Sequence, residues 1–306
     1  MILCLLCLAS VWSNILCFNF ALICIDHAEG IELEAVEQQQ QINGSEGEMS
    51  LLESVTENEI ALAALISNFA VVSLVNHCGI RTVFACLGML SAISTCLLPA
   101  AIELGFYYVL ACRFLQGIAF SANFPVIGSF TSKWTYYKQN GLFVSALVAY
   151  VQLAPAITMF LYSPSYLNVV LRFPVAHTGF SASLAPLAQF CIKLLAGFTS
   201  DKIRFLSETN KLRLYNSIAF FGSALFLSML AFFPTDQPTL CLVLLGISAG
   251  LLGFTTGGFF KAGPLVAKHY ALVVMGQISL AITITLLLVP IMQNTLAPHN
   301  KAEEWR

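Results

Sequence analysis

The sequence predicts an all-α, multi-pass membrane protein, and three observations predict it. Of the 306 residues, 58% are hydrophobic and only 10% charged, with a mean hydropathy of +0.81, so lipid is the solvent for most of the chain. The apolar residues fall into runs of about 20, the length that crosses a bilayer as a helix. The basic residues between those runs gather in alternate connections, the pattern of cytoplasmic loops.

Nine spans follow, approximately Ile2 to Ile25, Glu59 to Asn76, Thr82 to Ala101, Phe106 to Thr131, Gly141 to Tyr162, Gly179 to Ser200, Leu214 to Phe233, Thr239 to Phe260 and Ala271 to Gln293. The first lacks a basic leader and stays apolar beyond a signal core, so it is read as a retained helix, a cleaved signal being the lesser alternative. Between the first two spans, residues 26–59 carry ten acidic residues, the glutamines Gln38 to Gln41 and the sequon Asn43-Gly44-Ser45. That composition predicts a disordered extracytoplasmic loop with Asn43 as a glycosylation site. Arg81, Lys133, Lys138, Lys202, Arg204, Lys211, Arg213, Lys261 and Lys268 mark the opposite, cytoplasmic side. Trp134, Tyr136 and Tyr137 read as an interfacial anchor at the end of the fourth span.

The fourth span contains a charge. Arg113, Gln116, Phe120 and Asn123 follow at i, i+3, i+7 and i+10, which keeps them within an arc of about 80° on one helix face. A central arginine costs about 2.5–3.5 kcal/mol on insertion scales, so this stripe is expected to face protein or a water-filled cavity. Two readings stand side by side: a brace to carbonyls of neighbouring helices, and a cationic anchor for an anionic solute. Elsewhere in the spans the polar residues are few. Gln152, Gln189, Lys193 and Gln277 can line a cavity with Arg113, Gln116 and Asn123, although glutamines also pair between helices and Lys193 can snorkel to the interface. Gly246 with Gly250 and Gly253 with Gly257 read as close-packing positions. The ten cysteines lie in or beside apolar runs and behave as small hydrophobes. The Cys4–Cys7 pair lacks the companions of a metal site. No dinucleotide or phosphate loop, HExxH or nucleophile elbow occurs, and no catalytic residue, cofactor, metal or nucleic-acid partner is expected.

The run RFLQGIAFSANFPVIGSFTSKW, Arg113 to Trp134, resembles the fourth helix of the anion:cation symporter branch of the major facilitator superfamily, the group of sialin, the vesicular glutamate transporters and the type I sodium-phosphate cotransporters. GFTSDK, Gly197 to Lys202, resembles that superfamily's G-x-x-x-D-R/K loop, where Asp201 and Lys202 would help fasten helices in one state of the cycle. AKHYALVVMG, Ala267 to Gly276, resembles the run into the eleventh helix. The resemblance implies an N-terminal bundle over 1–162 and a partial C-terminal bundle over 163–306, equivalent to helices one to five and eight to eleven, with six, seven and twelve missing. It implies alternating access in a plasma, vesicular or lysosomal membrane, a small anionic solute as partner, and sodium or a proton as coupling cation.

Three departures bear on that expectation. Ala119 and Phe120 stand where the family commonly has an acid, Asn76 stands where its first-half loop has aspartate, and the missing helices remove part of the central wall. Transport by this chain is expected to be impaired. The alternative is a non-transporting remnant or isoform that acts through association with other membrane proteins.

Overall fold

The computed structural model describes residues 1–34, 42–136, 139–158, 176–232 and 238–296. Among them every regular element is a helix, as the composition predicted. In chain order these are α1 (Ile2–Glu34), α2 (Ile42–Cys78), α3 (Ile80–Leu104), α4 (Phe106–Phe120), α5 (Asn123–Trp134), α6 (Asn140–Val148), α7 (150–158), α8 (Ala176–Lys202), α9 (Glu208–Phe232), α10 (Pro238–Leu252), α11 (Phe259–Ala267) and α12 (Ala271–Leu296). Five stretches are long and apolar enough to cross a membrane: Asn58–Cys78, Ile80–Leu104, Phe106–Trp134, Asn140–Thr158 and Val243–Val289. A shorter apolar helix covers Ile2–Phe18.

Two expectations are corrected here. The acidic segment 26–59 is not a disordered loop in its described parts: α1 runs on through Glu34, and α2 begins at Ile42, which puts Asn43 in a helical first turn. The segment lacks proline and is rich in Glu and Gln, so acidity alone gave no reason for the helices to stop. The glutamine run lies outside the described residues, as does all of 159–175. The eighth span also ends earlier than its hydropathy suggested. Gly253–Thr256 tightens into a 3-10 turn, and Lys261, counted with the loop cations, lies in α11.

The long fourth span is broken at Ser121–Ala122. Pro125 explains this break, since it has no N–H to offer and its ring opposes the carbonyl four residues back. The fifth span bends at Ala149, and the third break is the glycine-bearing turn between α10 and α11. These breaks meet. Phe124, Tyr150 and Phe260 each follow one of them closely, and the Phe124 ring lies 6.2 Å from Tyr150 and 6.1 Å from Phe260.

The helices α2, α3 and α4 pack on one another with α1 laid against α3 and α4, while α8, α9 and α10 pack together around the 253–256 turn. Two seams join these groups: α6 against α8, and α12 against α2 and α5. Small residues make both possible. Gly276 of α12 lies against Val72 and offers its carbonyl to Asn68 Nδ2 at 3.0 Å, and a side chain on Gly128 would collide with the Ala271 backbone.

Glycine also sets the α2–α4 contact. A Cβ on Gly117 would sit 2.5 Å from the Ile60 carbonyl oxygen and 2.7 Å from Ala63 Cβ. Gly117→Leu is expected to destabilise the folded chain by about 1–3 kcal/mol through overpacking. Gly88→Ala and Gly246→Ala, where nothing lies within 4 Å, should stay within about 0.5 kcal/mol of the parent. Thermal unfolding in detergent compares the three.

Candidate functional site

The arginine that the sequence singled out is held within the α1, α3 and α4 group. Arg113 has no exposed surface. Its Nη1 donates to the Ile15 carbonyl oxygen at 3.0 Å and to Gln116 Oε1 at 2.9 Å, and its guanidinium carbon stands 3.8 Å from the centre of the Phe18 ring. None of these three partners carries a charge. Gln116 Nε2 then donates to Thr95 Oγ1 at 2.8 Å, and the Thr95 hydroxyl donates to the Ser91 carbonyl at 2.8 Å. The α4 face thus reaches α1 by charge-assisted bonds and α3 by a neutral chain.

Asn123, the last of the stripe, belongs elsewhere. It follows the break, is fully buried, and neither its amide oxygen nor its amide nitrogen makes a hydrogen bond. Beside it stands the Tyr150 hydroxyl, equally buried and facing the Asn123 side chain, with no well-formed hydrogen bond to it. Such groups cost about 1–3 kcal/mol each when left unmet, so they concentrate at functional sites or await a partner.

A second polar stretch lies along the α6–α8 seam. Gly141 and Leu142 face Asp201, and Ser145 faces Gly197, so the helices run antiparallel. Continuing that register brings Gln152 level with Gln189, with Lys193 nearly one turn nearer the Asp201 end. Ser145 Oγ and Gln152 Oε1 are covered and without partners, Gln189 is half-buried, and Lys193 is 5% exposed. Lys193 does not snorkel out. Gln277 is not brought to this seam: it is exposed on α12, in a groove of about 740 Å³ shared with Phe259, Phe260 and Gly263.

At the end of the seam the Gly197–Lys202 motif takes up its contacts. The Gly141 and Leu142 N–H groups donate to the two Asp201 carboxylate oxygens at 2.9 and 2.8 Å. Those are first-turn donors of α6, which have no partner inside their own helix and lie at its positive end. The cap therefore comes from another helix. Lys261 of α11 is 2% exposed and stands 3.0 Å from Asp201 Oδ1 and 3.4 Å from Glu208 Oε2, while Lys211 is 2.7 Å from Glu208 Oε1. Gly197 is required by the close approach of Ser145. Lys202 turns away and rides on Phe198, 4.7 Å from the ring centre.

Sequence reasoning missed Lys261, Glu208 and Tyr150. Lys261 read as a loop cation because GGFFK follows a glycine turn. Glu208 carried no pattern, and Tyr150 sat unremarked in an apolar run. Among the described residues, no group of His, Cys, Asp and Glu could hold a metal ion, and the cysteines are free thiols.

Comparison with known proteins follows the same lines. The sequence profile described as Major Facilitator Superfamily matches residues 1–161. Sialin of Homo sapiens is 28% identical over 184 residues, 59% of this chain and 33% of sialin. The probable vesicular glutamate transporter eat-4 of Caenorhabditis elegans is 25% identical over 181 residues, 58% of this chain and 27% of that protein. The chloroplastic ascorbate transporter of Arabidopsis thaliana is 30% identical over 115 residues, 37% of this chain and 21% of that protein. Each match covers about a third of the relative's length or less.

The ion cluster yields a test of its own. Asp201→Asn leaves Lys261 with only the half-exposed Glu208 carboxylate and should cost less than the roughly 3–5 kcal/mol of a fully unpaired buried charge, whereas Asp201→Asn with Lys261→Met should recover most of that loss. Burial raises the Glu208 carboxyl, but the Lys211 hydrogen bond and the charges of Lys261 and Lys211 outweigh it and hold the group below its ordinary value. A depressed acid stabilises the fold above its unfolded pKa of about 4.3 and loses that contribution as pH falls through the folded value. Unfolding midpoints measured from pH 7 down to pH 3 should fall in the parent and fall less in Glu208→Gln.

Proposed function

We propose that this chain, which belongs to the Major Facilitator Superfamily, carries a small organic or inorganic anion across a membrane by alternating access. A fully buried arginine in a membrane-spanning helix carries the reading. Such a charge is expensive in lipid and marks a solute pathway by default, and two of the named relatives are by name transporters of glutamate and of ascorbate, both anions. Arg113 supplies the positive charge, its bonds to Ile15 and Gln116 orient the guanidinium, and Gln116 and Asn123 extend the polar face toward the helix breaks. The planar fork suits a carboxylate or phosphate in two-point contact.

Two bundles, 1–162 and 163–306, rock about the seams α6–α8 and α2–α12. The Asp201 cap with Lys261 fastens one end of the first seam in this state and releases it in the next, with Gly197 allowing the approach. Basic connections place that end in the cytoplasm and the acidic segment with Asn43 on the far side of a vesicular, lysosomal or plasma membrane. A coupling cation, sodium or a proton, would accompany the anion.

Reconstituted vesicles test the proposal. Saturable uptake of a carboxylate or phosphate is expected; its absence would favour a chain that acts only by association with other membrane proteins. Arg113→Lys should weaken uptake and Arg113→Gln nearly abolish it, with both variants reaching the membrane in normal amount. Should abundance and uptake fall in proportion, Arg113 is a brace for α1 and not a ligand.

A further inference from the structure

The buried cations on the α8 side of the molecule differ in what answers them. Lys261 has Asp201 and Glu208, and Lys211 has Glu208. Lys193 is 5% exposed, and its ammonium makes no hydrogen bond or ion pair with any described residue. The elements packed on α8 offer little to answer it. The stretches 140–158, 238–252 and 253–256 contain no aspartate or glutamate, and α9 contributes only Glu208, which is taken by two lysines. On α8 itself Asp201 is taken by the α6 cap and Lys261.

Lys193 precedes Asp201 by two helical turns, about 12 Å along α8 by the rise of an α-helix. It therefore lies well inside the helical assembly, at the level where α6 gives way to α7 at Ala149. Carried on past Ala149, the antiparallel register sets Gln152 nearly one turn beyond Lys193, level with Gln189, with its Oε1 covered and unpartnered, and Ser145 Oγ lies one turn nearer the Asp201 end in the same condition. On α8, Gln189 shares the face of Lys193 at i, i+4. A bare ammonium beside uncharged amide and hydroxyl groups lacks one thing, a negative charge.

We infer that Lys193, with Gln152 and Gln189, forms an anion seat at the inner end of the α6–α8 seam, separate from Arg113, and that its ligand is a small oxyanion, a carboxylate or phosphate, taken from water. The two cations stand at different depths. Arg113 precedes Trp134 by nearly six turns, whereas Lys193 is two turns from the Asp201 end of the seam, so they are successive stations and not one clamp. The amide N–H groups of Gln152 and Gln189 donate to the oxyanion, and Lys193 matches its charge. Because Gln152 and Lys193 come from opposite sides of the seam, an occupant draws the two helix groups together.

The seat rests on the transport reading for its place in a cycle, but its existence is tested by binding alone. Purified chain in neutral detergent, free of anionic lipid, is titrated with acetate and with inorganic phosphate while thermal unfolding is followed. The parent should be stabilised in a saturable way by at least one of them, and Lys193→Met should fold, unfold no lower than the parent without anion, and bind at least about tenfold more weakly. A bonded structural lysine would behave oppositely. With the Arg113 site removed by Arg113→Gln, retained anion response in Lys193→Met overturns the seat, and so does a parent that responds to neither anion. Should the methionine variant fail to fold, Lys193→Arg decides: an altered affinity supports the seat and an unaltered one removes it. Stabilisation by anionic lipid with none from the free anions would also overturn it, since the ligand would then be a headgroup. Uptake by reconstituted vesicles is scored separately, so binding without uptake sinks the transport reading and leaves the seat standing.

Discussion

A cation taken out of water has to be answered by something, and the answers found in this chain organise its helices. Lys261 is answered by two carboxylates from α8 and α9, and that demand pulls three helices to one point. Arg113 is answered by a backbone carbonyl, an amide oxygen and an aromatic face, which draws α1 onto α4. Lipid can do neither. In hydrocarbon the alternative to each contact is an exposed charge, so helix positions follow from the need to satisfy charge as much as from apolar packing.

Close packing then decides which helices are allowed to answer. Gly141 and Gly197 let the α6 backbone approach α8 until the Asp201 carboxylate reaches two backbone N–H groups, and any side chain at either position would strike the partner. The second seam works the same way with Gly276 and Gly128. It carries less polar contact, chiefly the Asn68 bond to Gly276. The seams therefore differ in kind: one ends in a cluster of ions and a borrowed helix cap, the other is mostly apolar contact with a single amide bond. Solvent conditions that weaken ion pairs act on the first and leave the second.

Much of this was legible in the sequence because hydropathy is a strong, additive signal over 20 residues. The runs that became α3, α4 with α5, α8 and α12 were placed within a few residues. The i, i+3, i+7 stripe did foretell that Arg113 and Gln116 would be buried together. Other features were not legible for physical reasons. Acidity was taken to mean disorder over 26–59, yet helix propensity there met no breaker. A proline four residues past Ser121 announced the first break, while the bend at Ala149 has no comparable mark. Pairing between Lys261 and Asp201 spans 60 residues of chain, and no periodicity within one helix encodes a contact of that range. Register along the α6–α8 seam, which sets Asp201 against the first turn of α6 and Gly197 against Ser145, is likewise a tertiary fact.

The three breaks give the charges their mechanical setting. Helices interrupted at Ser121–Ala122, Ala149 and Gly253–Gly258 cannot transmit displacement as single rods, so the parts on either side can tilt against one another. Their meeting point is filled by Phe124, Tyr150 and Phe260, one ring from each broken span. Aromatic contacts of that sort are worth about 0.5–1.5 kcal/mol beyond area burial, small beside the cost of unpairing Lys261. A change of state that parts the rings while sparing the ion cluster is therefore far cheaper than one that breaks both. On the transport reading, the ring contact would yield first, and the cluster at the Asp201 end would release only once something compensates its charges.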